Sequence, residues 1–164
     1  MTTVIATVTP SLPRRYLGVG MMGFLGFLLL WMAVSSATHV GWRVALLALG
    51  GVAIFGALNL WRATAVYLEL TETELRDSAG TLLVRVDQIV GVQRGAFAMK
   101  PSNGFVLSLS ASQPRGWAPG LWWRAGRRLG VGGVTSAQEG KAMAEIIAVL
   151  LARRREETGT DGKI

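Results

Sequence analysis

The sequence predicts a two-helix hairpin of transmembrane length, followed by a mainly β domain: a bent sheet or partly open barrel capped by one C-terminal α-helix. Three observations carry that prediction. Two charge-free apolar runs, residues 16–34 and 44–61, lie in a stretch with three arginines and no carboxylate, whereas all ten acidic residues follow residue 68. Beyond Trp61 the apolar residues recur with period two. From Met143 their spacing becomes helical.

The first run, YLGVGMMGFLGFLLLWMAV, would span roughly 28 Å as a helix, close to the ~30 Å hydrocarbon core of a bilayer. The second, VALLALGGVAIFGALNLW, follows after Ser35–Arg43, a spacer too short to be a domain, so the two form a hairpin. Tyr16, Trp31, Trp42 and Trp61 stand at the ends of the runs, where headgroups favour aromatic rings. Arg14 and Arg15 precede the first run and Arg62 follows the second, while the connection has only His39 and Arg43. The positive-inside rule then puts both termini in the cytoplasm. Ser35-Ser36-Ala37 has the form of a signal-peptide cleavage site, but the first run exceeds a signal core and a second run follows it. Gly20, Gly23 and Gly26, with Gly50, Ala53 and Ala57, supply the small residues that let helices approach in lipid. That face either holds the hairpin together or docks another membrane protein. Asn59 is the one amide within a run.

Four segments follow: 1–15 as a cytoplasmic N-terminal segment, 16–62 as the hairpin, 63–155 as a cytoplasmic domain and 156–164 as a disordered tail. In the domain, Val66, Leu68 and Leu70 alternate with Tyr67, Glu69 and Thr71, and Leu82, Val84 and Val86 alternate with Leu83 and Arg85. Asp77–Gly80 reads as the turn between those strands. Ile89–Gln93 and Phe105–Ser110 read as further strands, joined through the Pro-Ser-Asn-Gly hairpin signal at 101–104. Leu129–Val134 is a short Gly-rich strand. Ser136-Ala-Gln-Glu139 has the pattern of a capping box, and Met143, Ile146, Ile147, Leu150 and Leu151 form the apolar stripe of the helix it would start. Arg153, Arg154 and Arg155 would close that helix as solvated cations favoured by its dipole.

Residues 64–155 resemble the bacterial pleckstrin-homology-like (PH-like) domains of small membrane proteins. The resemblance rests on TETEL (Thr71–Leu75), DQI (Asp87–Ile89), GFVLSL (Gly104–Leu109), RRLGVGG (Arg127–Gly133) and EGKAMAEII (Glu139–Ile147). It implies a scaffold or recognition module with no assigned reaction. In eukaryotic PH domains a basic loop between the first two strands grips phosphoinositide. Taken as Thr71–Leu75, that loop is acidic here, so the role is not carried over.

The chain has no cysteine, which excludes thiol nucleophiles and thiolate metal sites. Its one histidine, His39, lies between the apolar runs, so no Ser-His pairing is available to the domain. Gly130–Gly133 and Gly140-Lys141 fail the spacing of a phosphate-binding loop. Glu69, Glu72, Glu74 and Asp77 read as solvated charge. No catalytic, metal-ligating or cofactor-binding residue and no cofactor is assigned, and the chain reads as a non-enzyme. The richest stretch is QPRGWAPGLWWRAGRR, residues 113–128, which holds Trp117, Trp122 and Trp123 together with Arg115, Arg124, Arg127 and Arg128. Tryptophan with arginine suits a bilayer interface, a protein-docking surface or a completed sheet core. The chain carries a net charge of +7, and tethering to a bilayer makes the anionic leaflet, not nucleic acid, the expected partner of its basic domain. The leading expectation is an inner-membrane accessory, scaffold or assembly protein that presents its PH-like domain to a membrane-protein partner. A lipid-headgroup sensor and a homo-oligomeric scaffold are the alternatives, and no small-molecule substrate is indicated.

Overall fold

The computed structural model describes residues 3–35, 39–93 and 104–160, and side chains as far as residue 156. The hairpin signal at 101–104 falls, Gly104 apart, outside the described residues, as do residues 161–164. Helix α1 spans Leu12–Ser35 and α2 spans Val40–Ala63, both long and apolar enough to cross a membrane. They pack antiparallel. Gly56 lies under Met22, and Gly26 and Gly50 face each other so closely that a Cβ on either would come within 3.2 Å of the other's carbonyl oxygen. Ala33, Leu46, Ala53 and Ala57 are buried in the same seam. Gly26, Gly50, Ala53 and Ala57 therefore lie where the sequence places them, whereas Gly20 and Gly23 do not: a Cβ on either would meet nothing within 4 Å. The three-residue spacing turns those two glycines off the seam. Arg43, in the first turn of α2, donates to the carbonyls of Ala33 (2.7 Å) and Val34 (3.4 Å), joining the two helices at the end remote from the sheets.

The apolar side chains of this hairpin point outward. Phe24, Phe27, Trp31, Val34, Val52 and Phe55 are all exposed, and only 11% and 22% of the most apolar windows of α1 and α2 are buried. A core helix of a water-soluble domain would show the reverse.

Among the described residues the β domain holds seven strands in two antiparallel sheets. The first sheet contains β1 (Val4–Val8), β2 (Leu68–Thr71), β3 (Glu74–Asp77) and β4 (Leu82–Arg85), in that order. The second contains β5 (Ile89–Gln93), β6 (Phe105–Ala118) and β7 (Trp122–Val131). The chain passes from one sheet to the other through a single 3-10 turn, Val86–Gln88. The sheets are not joined into a closed barrel.

Strand β1 corrects the reading of residues 1–15 as a segment apart from the domain. Ala6, Thr7 and Val8 pair with Leu70, Glu69 and Leu68, and Val8 is fully buried. The helical hairpin is thus an insertion between two adjacent strands, and both its ends leave the same end of the sheet. Counted from β1, the connection between the first two strands is the hairpin itself. Thr71–Leu75 instead turns β2 into β3, with the Thr71 hydroxyl accepting from the Glu74 amide at 3.0 Å.

The turn at Asp77–Gly80 forms as the sequence predicts: Gly80 has φ +90°, and Asp77 Oδ1 accepts from the Thr81 amide at 2.7 Å. Strand β4 departs from simple alternation. Leu75 pairs with Val84 but Arg76 pairs with Leu82, so Leu83 is the extra residue of a bulge. Leu83 and Val84 are both buried and Leu82 is exposed, reversing the expected face of Leu82.

Helix α3 (Ala137–Thr160) lies against β1 and β5 and so covers both sheets. Met143, Ala144, Ile147 and Leu151 enter the core with Phe105, Leu107 and Leu129, while Ile146 and Leu150 pack on its edge. The expected capping box does not form. The Ser136 amide donates to the Thr9 carbonyl at 3.1 Å, leaving the Glu139 carboxylate to accept from the Thr9 amide (2.6 Å) and hydroxyl (2.8 Å). A tertiary bond to the N-terminal strand has replaced the local one. The helix also continues to Thr160, so residues 156–160 belong to it and not to a tail.

Candidate membrane- and partner-facing surface

The stretch 113–128 is a bent β-hairpin. Between the pairs Ser108–Arg128 and Gln113–Gly126 strand β6 carries extra residues, and Gly126 on β7 has φ +57°. These irregularities fold the two strands over, so that the Trp123 indole lies on Gly130 of its own strand.

The seven candidates in this stretch divide into two groups. Arg124 donates from Nε to the Pro114 carbonyl (2.8 Å) and from Nη1 to the Leu83 carbonyl, with its guanidinium 5.8 Å from the Trp122 ring centroid. It ties β7 to the edge strand of the other sheet. Arg127 donates to the Leu109 (3.3 Å) and Ser110 (2.6 Å) carbonyls, which the bulge in β6 leaves without strand partners on that side. Trp122 is buried, packed against Gly116, and Trp123 is half-buried. These four build the domain. Arg115, Trp117 and Arg128 are exposed, and Trp117 at 72% is the most exposed of the six tryptophans.

The turn of this hairpin sits at the foot of the helices. Gly120, with φ +74°, faces Leu60 and Thr64 at the end of α2, and a Cβ there would come within 2.8 Å of Leu60 Cδ1. Its carbonyl accepts from Val134 (2.9 Å), the Val134 carbonyl accepts from Ser11 (2.7 Å), and Arg14 donates to the Thr135 carbonyl (3.3 Å). The Arg15 guanidinium lies 4.1 Å from the Trp61 ring centroid, and Tyr16 packs on the same ring at 5.6 Å. Strand pairing brings the Ser78 turn here as well, since the Ser78 amide donates to the Tyr67 carbonyl at 2.8 Å.

On the other side of the domain, an open groove of about 540 Å³ runs between β5 and α3, lined by Asp87, Ile89, Val90, Leu151, Arg154 and Arg155. Strand β5 is an edge strand of its sheet. Arg154 donates to the Val86 (3.1 Å) and Asp87 (2.6 Å) carbonyls and Arg155 to the Val90 carbonyl (3.2 Å). The arginine triplet is exposed but is not the end of the helix, which runs on to Thr160. Two of its members hold α3 onto the edge of the second sheet, which their distance in sequence conceals.

Among the described residues no group of three or more His, Asp or Glu side chains could hold a metal ion. Arg76 pairs with Glu69 (3.1 Å) and Glu74 (3.4 Å), which accounts for two of the four clustered carboxylates. Comparison with protein-family models, with curated proteins and with solved structures finds no match to this chain.

Proposed function

We propose that this protein is a non-enzymatic accessory, scaffold or assembly factor of the bacterial inner membrane, anchored by α1 and α2, which presents a cytoplasmic PH-like domain to a membrane-protein partner. The observation that carries the reading is the insertion of an outward-apolar hairpin between two paired strands. A domain built this way cannot drift from its anchor: β1 leads directly into α1, and β2 follows α2 after four residues. Four strands, then three, then a covering helix support the PH-like reading. Arginines at the hairpin foot, with a single arginine at its far end, support cytoplasmic termini. The lack of cysteine and the placement of the only histidine away from the sheets support a role without chemistry.

Purification of the tagged full chain from native membranes in mild detergent, followed by protein identification, tests this. A stoichiometric foreign membrane protein is the expected result. Recovery of the chain with lipid alone, or only with further copies of itself, would overturn it.

A further inference from the structure

We propose that the β6–β7 turn is a second membrane contact, in which Trp117 seats in the headgroup layer of an anionic leaflet and holds the domain at a fixed angle to its anchor. This rests on the reading of α1 and α2 as membrane-spanning. Place, shape and charge argue for it.

As to place, Gly120 is closed against Leu60 and Thr64, so the turn is fixed to the last turn of α2, where an apolar helix leaves the bilayer. Trp117 lies three residues before Gly120, within about 10 Å along an extended strand. Tyr16 and Trp61, the interfacial rings of the hairpin itself, stand at this same end.

As to shape, Trp117 pairs across the strands with Trp123, whereas Ala118 pairs with Trp122. Side chains alternate along a strand, so Trp122 is turned into the core and Trp117 is on the opposite face. The bend at Gly126 lays Trp123 on Gly130, and Trp117 remains in the open. A large ring with one polar N–H is costly to leave wholly in water and is well suited to the layer between water and hydrocarbon.

As to charge, Arg14, Arg15, Arg62 and Arg115 lie around the feet and the turn. Two carboxylates at this end of the domain already accept from amides, Glu139 from Thr9 and Asp77 from Thr81. An excess of guanidinium at this end favours phosphate.

The absence of native cysteine makes a single-label test clean. The full chain carrying Trp117→Cys, Phe27→Cys or Glu72→Cys would be labelled with an environment-sensitive fluorophore and placed in nanodiscs of phosphatidylcholine with or without phosphatidylglycerol. Lipids spin-labelled at the headgroup or mid-chain would serve as quenchers. Phe27 is on the outer face of α1, and Glu72 is in the turn at the end of β2 remote from α2. The proposal expects the label at 117 to lose fluorescence to the headgroup quencher far more than the label at 72, and more with phosphatidylglycerol than without. A label at 117 no more quenched than the label at 72, while the label at 27 is quenched by the mid-chain lipid, would overturn the second contact and leave the anchor standing. Loss of mid-chain quenching at 27 would overturn the anchor itself. Equal quenching at 117 with and without anionic lipid would overturn the role of the arginines.

Discussion

In the helical hairpin Phe24, Phe27, Val52 and Phe55 face outward and Gly26 and Gly50 face the neighbouring helix, whereas in the sheet domain Phe105, Leu107 and Leu129 are closed in and the arginines lie outside. The same kinds of residue are used in opposite senses within one chain. Where small residues are inside and large apolar ones outside, burial of apolar surface does not drive the packing, and close backbone approach takes its place. Where large apolar residues are inside, the ordinary hydrophobic term holds the fold. The border between the two regimes is narrow. It runs through the last turn of α2, where Leu60 and Thr64 meet Gly120 and Arg15 packs on Trp61.

Substitutions in the two regions sharpen that contrast. The largest effect is expected for Leu107→Ala, at a fully buried position between the sheets and α3. It should destabilise the domain by about 2–5 kcal/mol, read as a lowered urea midpoint by near-UV circular dichroism of the full chain in nanodiscs. Phe27→Ala on the outward, exposed side of α1 should leave that midpoint unchanged, and an equal loss there would break the contrast. Next comes Gly50→Leu, whose side chain would enter the space of Leu30 and the Gly26 carbonyl. Overpacking of about 1–3 kcal/mol should push α1 and α2 apart, measured as a longer spin-label distance across the hairpin. Gly20→Leu, with open space around it, should not change that distance.

A smaller effect is expected within 113–128. Arg124→Met leaves the Leu83 and Pro114 carbonyls without their guanidinium donor and should cost about 1–3 kcal/mol, again by urea midpoint. Arg115→Met should stay within about 0.5 kcal/mol. Equal costs would mean that the two arginines are not divided between structure and surface as described.

The coarse architecture was legible in the sequence because it rests on long, repeated signals. Both helices follow from charge-free runs, α3 from its apolar stripe, and β2, β4 and β5 from short apolar stretches between turn residues, whereas the four-residue β3 is not legible as a strand. What escaped depends on partners far away along the chain. Val4-Ile-Ala-Thr-Val8 has the composition and alternation of a strand, but its partner lies sixty residues on, beyond two helices. A β-branched run of period two just before the hairpin was the available signal. The capping box at Ser136 failed for the same reason, since no local rule reports that Thr9 returns to claim the Ser136 amide. In the Trp/Arg stretch, residue type could not separate Arg124 and Arg127 from Arg115 and Arg128. The difference lies in which backbone carbonyls a bulge and a sheet edge leave open nearby. Gly20 and Gly23 show the converse, because small-residue spacing signals that helices can approach but not which face they use.

The most direct test of the account is the sidedness of two engineered cysteines, His39→Cys in the connection between α1 and α2 and Glu72→Cys in the β2–β3 turn, probed with a membrane-impermeant maleimide on sealed vesicles of known orientation. The account predicts that the reagent labels the two positions from opposite faces. Labelling of both from one face, with the outer side of α1 and α2 equally open to the reagent, would contradict it.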